Sequence, residues 1–302
     1  MKKRTVLPVI LVLLLCLPTA ALASNFDTLV VFGDSLTDNG NLFAIDPDQV
    51  PSDYYYQGRF SNGPVWAEYL AQEDFLNCTL VNNAYVGATT DGASPPGLLS
   101  QVSAYTNSAS VEDNTLFAIW IGANDFLNGS VDYATSAANI RTALESLATF
   151  GAEHILILNL PDLGSTPRYL GTADEDGARA LSQGFNEALA AVIDAFQGTY
   201  QETVVYEFDV YTFLQATADD PGSYGFTNAK QVCPSYAIAG NFDNSAGYVF
   251  WDDIHPTTEA HDVIADQILS IVTEDDDIQS NVTEDDATAS DSCFINSLFA
   301  IN

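Results

Sequence analysis

Between residues 25 and 272 the chain alternates between two textures. Residues 26–32 (FDTLVVF) form a short, β-rich apolar run, and residues 80–86, 116–121, 154–160 and 203–208 repeat it. Between these runs lie stretches with apolar residues three and four apart, at 65–75, 133–150, 178–200 and 258–272. In 133–150 the apolar stripe includes Ala137, Ile140, Ala143, Leu144 and Leu147, the spacing of one helix face. Runs that are apolar throughout, rather than at alternate positions, predict strands buried on both faces. Strands alternating with helices predict a parallel sheet covered on both sides. The pattern therefore predicts an α/β domain, a three-layer α/β/α sandwich around about five parallel strands.

Two segments break the pattern. Residues 46–62 carry Asp and Pro with the cluster Tyr54-Tyr55-Tyr56, and residues 219–247 carry Pro221, Gly222, Gly225, Pro234 and several aromatics. Such insertions either shape a pocket over the sheet or run as surface loops with satellite packing, and the residues leave both readings open. The two ends differ again. Lys2, Lys3 and Arg4 precede an almost unbroken apolar run at 6–17, and Ala21-Leu22-Ala23 offers small residues where signal peptidase reads them. Residues 1–23 read as a secretory signal peptide, so the expected location is secreted or periplasmic. The run is short for a bilayer span of about 20 residues, and Leu15 before Cys16 disfavours a lipoprotein site. The domain is expected over 24–272. In the tail, 273–302, the acidic repeat of 272–276 at 282–286 predicts disorder. The apolar run after Cys293 reads as a sorting signal or as a strip that docks on the domain.

Charge narrows the partners. The chain has 8 Lys and Arg against 41 Asp and Glu, a formal net charge of −33. Beyond the leader only Arg59, Arg141, Arg168, Arg179 and Lys230 are basic. Such a surface repels phosphate backbones, which excludes nucleic acid as a partner, and fits solubility in a salty medium. Export permits a disulfide, and Cys78–Cys233 is the favoured pair because Cys293 lies beyond the acidic stretch. No C-x-x-C zinc spacing and no acidic calcium loop closed by Glu occurs, so no metal is expected. Asn77, Asn128 and Asn281 fit the N-x-[ST] pattern, which matters only in a host that glycosylates.

Two constellations carry chemistry. Gly33-Asp34-Ser35-Leu36 follows the first predicted strand at once. That places Ser35 at the carboxyl edge of the sheet, where α/β domains put their sites. If a helix starts there, its unpaired N–H groups favour a nearby anion, although Ser35 or Asp34 could equally serve as a helix cap. Asp252-Asp253-Ile254-His255-Pro256 lies near the end of the domain. His255 lies three positions after Asp252, a spacing that lets the carboxylate meet Nδ1–H and stabilise an imidazolium. Asp253 is the less suitable rival. His154 and His261 have no Asp three residues earlier and read as surface or structural residues.

These two blocks resemble the first and last motifs of the GDSL, or SGNH, hydrolases. Asn82-Asn83-Ala84-Tyr85-Val86-Gly87-Ala88-Thr89 is similar to the second motif, and Ile121-Gly122-Ala123-Asn124-Asp125 to the third. The blocks keep the family's order over 26–272, although Val86 stands where a paired glycine is common. Asp38-Asn39-Gly40-Asn41 and the segment 58–66 resemble the branch of bacterial lysophospholipases, acyltransferases, haemolysin-like lipases and some sugar acetylesterases. The resemblance implies a flavodoxin-like fold, no cofactor and a serine acyl-enzyme mechanism. It implies Ser35 as nucleophile, His255 as base, Asp252 as its partner, and an oxyanion hole of Ser35 N–H, Gly87 N–H and the Asn124 amide. Asp34 and Asp125 read as loop-shaping acceptors. Arg59 reads either as a cation near the site mouth or as half of a salt bridge.

The implied function is a secreted hydrolase of carboxylic esters, lipid esters first. Rival readings are a carbohydrate acetylesterase, an acyltransferase to an alcohol, and a non-enzymatic sugar- or lipid-binding domain, the last disfavoured because every expected residue is present. The expected partner is a small-molecule or lipid ester, and the expected state is a monomer with no transmembrane span.

Overall fold

The computed structural model describes residues 26–50, 53–112, 114–127, 132–242, 245 and 247–282, with side chains as far as Thr273. The leader with Cys16, the terminal run with Cys293, Asn128 and the side chain of Asn281 lie outside the described residues. Strands β1 (Thr28–Gly33), β2 (Thr79–Asn82), β3 (Thr115–Trp120), β4 (His154–Leu158) and β5 (Val204–Phe208) are all parallel, in the order β2-β1-β3-β4-β5. This is the flavodoxin-like winding, in which the order reverses between β1 and β3. The crevice at their carboxyl ends is where such sheets bind ligands.

The helices of the described residues are α1 (Asn41–Ile45), α2 (Trp66–Leu70), α3 (Leu98–Ser108), α4 (Ala123–Leu127), α5 (Tyr133–Phe150), α6 (Glu175–Gln197), α7 (Val210–Asp219) and α8 (Thr258–Val282). Every residue of β1 and β3 is buried, which explains their unbroken apolar character. Phe32, Phe117, Ile119 and Ile157 turn to one face, where α3, α5 and α6 cover them. Leu29, Val31, Ala118 and Leu156 turn to the other, where α2 and α8 pack together. Each such Leu, Ile, Val or Phe contributes about 1.5–3 kcal/mol by leaving water, so this double core holds the strand ends still.

The structure departs from the pattern at the edges. The second predicted strand ends at Asn82 rather than 86, because side chains take over its polar groups. Asn41 Nδ2 donates to the carbonyls of Asn82 and Ala84, both at 2.9 Å. The predicted 65–75 helix stops at Leu70, where the chain folds back and Leu76 N–H returns to Leu70 O at 3.0 Å. The last helix runs on to Val282 instead of ending at 272; extending a formed helix adds one bond per residue without a new nucleus. Residues 219–247, read as loop, contain β6 (Asn228–Val232), which pairs with β7 (Tyr248–Phe250) as a small separate sheet. Strands so short leave no periodic signal. The favoured disulfide is absent: Cys78 and Cys233 are not bonded to each other. Cys78 packs beside the α2–α8 core, and the Cys233 thiol sits in a separate aromatic cluster and donates to Ser245 O at 3.5 Å. Burial pushes the Cys78 thiol up to about 11.

Candidate active site

The carboxyl ends of three strands meet at the reversal point. Ser35 follows β1, Gly87 follows β2, and Asn124 lies on α4 just after β3. The turn at Gly33 is closed on both sides: Gln101 of α3 accepts from its N–H and donates to its carbonyl, each at 2.9 Å. A Cβ on Gly33 would meet Trp120 O at 2.6 Å, so only glycine fits. Asp38 joins the first turn to the second. Its Oδ1 accepts from Gly40 and Asn41 N–H, and its Oδ2 from Leu42 and, at 2.9 Å, Val86. Gly87 then turns with φ of +76°, a conformation that strains other residues.

Asn124 is aimed by a neighbour. One N–H of its amide reaches Ala88 O at 3.0 Å, and its remaining contact is a long 3.4 Å to Asp34 Oδ2. Among the described residues the backbone N–H groups of Ser35 and Gly87 have no acceptor. Ser35, Gly87 and Asn124 line the same cavity. Asp34 accepts Leu36 N–H at 3.0 Å, and burial pushes its carboxyl up to about 7. Asp125 accepts from Thr90 N–H, Thr90 Oγ1 and Ser136 Oγ, tying α4 to the second motif and to α5. Both carboxyls shape loops, and neither reaches Ser35 by a hydrogen bond.

His255 approaches from the opposite side. The 251–255 turn is closed by Trp251 N–H to His255 O at 2.8 Å. Asp252 Oδ1 accepts the N–H groups of Ile254 at 2.8 Å and His255 at 2.6 Å. Its Oδ2 meets His255 Nδ1 at 2.7 Å, and His255 Nε2 lies 3.0 Å from Ser35 Oγ. The three residues thus form a continuous chain of hydrogen-bond contacts across 220 positions of sequence separation. Burial opposes the charge on Asp252, but His255 and the Tyr55 hydroxyl outweigh it and hold the carboxyl down at about 2. The 58–66 segment fastens this side: Asn62 Oδ1 accepts Thr258 N–H at 2.9 Å, and Ser61 Oγ donates to Pro256 O at 2.9 Å. Asp253 is turned away and pairs with Arg168 through two hydrogen bonds of 2.9 and 3.0 Å. Arg59 pairs with Glu68 and does not line the cavity beside Ser35.

Ser35, Gly87, Asn124 and His255 sit together in the wall of a cavity of about 190 Å³. Away from these groups its walls are mostly apolar, with Leu214, Phe226, Val249 and Phe250 from the α7–β6–β7 region and Ala260 and Ile264 from α8, while Asp34, Thr166, Arg168 and Thr217 add polar atoms. The place of the apolar wall residues beside Ser35 was hidden in the sequence, since Leu214, Phe226, Val249 and Phe250 lie far from it along the chain and Ala260 and Ile264 belong to a predicted helix. Tyr55 and Phe60 against His255 were equally hidden; the tyrosine cluster was their only signal. Among the described residues no group of His, Cys, Asp and Glu side chains is arranged to hold a metal, and no helix is long and apolar enough to cross a membrane.

Residues 29–268 match the family model described as GDSL-like lipase/acylhydrolase. The chain is 30% identical to a thermolabile hemolysin of Vibrio parahaemolyticus over 81% of its own length and 63% of the hemolysin's, so it spans less than two thirds of that relative. It is 28% identical to a phosphatidylcholine-sterol acyltransferase of Aeromonas hydrophila, over 82% of this chain and 90% of the relative. In three dimensions it is similar to a lipolytic G-D-S-L family protein from Veillonella parvula, with TM-score 0.50 and 19% identity over 81% of this chain and 97% of the other. The position of the motifs, the winding of the sheet and these similarities agree: the chain belongs to the GDSL-like lipase/acylhydrolase family of esterases and acyltransferases.

Proposed function

We propose that the chain is a serine hydrolase of carboxylic esters whose acyl group is a hydrocarbon chain. The observation that carries the reading is the 3.0 Å contact of His255 Nε2 with Ser35 Oγ at the polar end of an apolar cavity. Ser35 Oγ attacks the ester carbon as His255 takes its proton, and Asp252 stabilises the imidazolium. The carbonyl oxygen becomes an anion beside the N–H groups of Ser35 and Gly87 and the Asn124 amide. Losing one such donor typically costs about 3–4 kcal/mol in the transition state. His255 then protonates the leaving alcohol, and water repeats the sequence on the acyl-enzyme.

The cavity favours a lipid over a sugar ester. A sugar acetate would leave apolar walls wet, whereas an acyl chain gains about 0.8 kcal/mol for each methylene it buries. The relative named as an acyltransferase supports a second outcome for the same intermediate, capture by an alcohol instead of water. The leader sequence, together with a relative named as a secreted effector of Salmonella typhimurium, supports action outside the cytoplasm. A panel of p-nitrophenyl esters and acetyl-xylan, with Ser35→Ala as control, tests the reading. Rates should rise from acetyl to longer acyl groups and vanish in the variant. Full activity of Ser35→Ala, or a preference for acetyl-xylan, overturns it.

A further inference from the structure

Asp252 Oδ2 receives two hydrogen bonds. One comes from His255 Nδ1 at 2.7 Å, the other from the Tyr55 hydroxyl at 2.6 Å. Tyr55 belongs to the first insertion and is almost fully buried. Its ring stacks on Phe60 with centroids 4.3 Å apart, and Phe60 meets the His255 ring edge-on at 5.0 Å. The Tyr55 oxygen also lies 3.3 Å from the hydroxyl of Tyr236, which comes from the second insertion. Because the Tyr55 proton is committed to a carboxylate, Tyr236 is the donor of that pair. Trp251 completes the enclosure: its ring packs edge-on against Tyr236 at 5.8 Å, and its Nε1 donates to Tyr54 O at 2.8 Å.

We infer that Tyr55 is a positioning residue for the ester-cleaving reaction, acting through Asp252 to fix the His255 ring and to limit how tightly it holds a proton. The inference rests on the Ser35–His255–Asp252 assignment proposed above. The physical reason is competition for one oxygen. A carboxylate that accepts a second charge-assisted hydrogen bond spreads its charge over two donors and attracts the imidazolium less strongly. Burial, with the Asp252 charge next to it, raises the phenol's own ionisation, so Tyr55 remains a donor throughout the working range. The other charged or titratable groups that act on His255 or its carboxylate are Asp34 at the end of β1, His261 on α8, and Arg168, whose charge is shared with Asp253. None of them hydrogen-bonds to Tyr55, so substitution there leaves them in place.

The test is the pH profile of kcat/KM on a p-nitrophenyl ester, for the full chain and for Tyr55→Phe and Tyr236→Phe. The pH dependence of Ser35 labelling by a fluorophosphonate is measured beside it. Tyr55→Phe keeps the stacked ring and removes only the hydroxyl. It should lower kcat about tenfold, the effect of one lost hydrogen bond to a charged group, with KM nearly unchanged. The acid limb of both profiles should move up by about half a pH unit or more. Tyr236→Phe should move it the same way by less. A Tyr55→Phe profile that overlays the wild type overturns the inference even if activity falls, since lost packing alone lowers rate without moving the limb. If Tyr55→Phe does not fold, the Tyr236→Phe limb decides: a shift supports the relay and its absence overturns it. Failure of the underlying assignment looks different, because the fluorophosphonate then leaves Ser35 unlabelled in the wild-type protein.

Discussion

The two sides of Ser35 are built in opposite ways. The oxyanion side comes from the ends of β1 and β2 and from α4 after β3, pinned by Gln101, Asp38 and Asp125, which are buried or nearly so. Its donors are mostly backbone N–H groups, which stay where the sheet puts them. The base side is one turn, 251–255, with no strand of the main sheet beneath it. It is held by side chains from two insertions, Tyr55, Asn62 and Tyr236 among them. In the proposed mechanism the sheet fixes where charge develops, and the insertions fix where the proton goes.

Substitutions on the two sides should differ in size. Asp252→Asn keeps the shape of the base side but offers His255 the wrong partner, and kcat should fall about 10⁴-fold. Asn124→Ala removes one of three donors, and kcat should fall about 10²–10³-fold. Both are read from steady-state kinetics on one ester. An Asn124→Ala loss as large as that of Asp252→Asn would mean that the backbone donors of Ser35 and Gly87 do not share the work.

The same division explains what was legible in the sequence. The sheet, its two-sided burial and the turns after its strands are local: each strand is an apolar run and each motif follows its strand within a few residues. Ser35, Asp252 and His255 were therefore recognisable as candidates before any contact was known, whereas Gly87 and Asn124 became candidates only through the resemblance of their motifs to the family's. The insertions carry no period. Tyr55 reaches Asp252 across 197 positions, and its partner Tyr236 lies 181 positions away. A cluster of tyrosines announces aromatic packing but not the carboxylate it serves. The helix α3 was missed although Leu98 and Val102 are buried four apart, because Ser, Thr and Asn fill its other positions and favour turns when isolated. The helix α7 was missed for a related reason: it opens on Val, Tyr and Thr, weak helix formers that are held there by the Asp209 cap.

The cavity wall extends the comparison, since its apolar end belongs to the insertion side. Thr217 lines it beside Leu214 and Phe226. Thr217→Trp should fill that end and move the preferred acyl length to shorter chains. Activity on an acetyl ester should remain within about threefold of wild type, because the polar end is untouched. A panel of p-nitrophenyl esters of increasing chain length reads the shift, and an unchanged preference places the acyl chain elsewhere.

The smallest effect is one of stability, and pH separates the two sides. His261, on α8 just after the base turn, is fully buried and neither ring nitrogen has a partner among the described residues. Burial pulls its ionisation down from 6.5 to about 3. The native state therefore binds fewer protons than the unfolded chain over that range. Stability from this residue is complete above 6.5 and is lost as pH falls towards 3, by on the order of 5 kcal/mol in all. Asp34 on the oxyanion side has the opposite sign. Its carboxyl is raised from 3.8 to about 7, so its contribution is greatest below 3.8 and declines as pH rises towards 7. His261→Leu removes the acid-side loss and an unpartnered polar ring together. Its urea midpoint should fall much less than the wild-type midpoint between neutral and mildly acidic pH. A variant with the same acid slope as wild type would assign the acid sensitivity to other groups; Asp252, whose folded-state value of about 2 gives a loss only below 3.8, would be separated from them by extending the series below that pH.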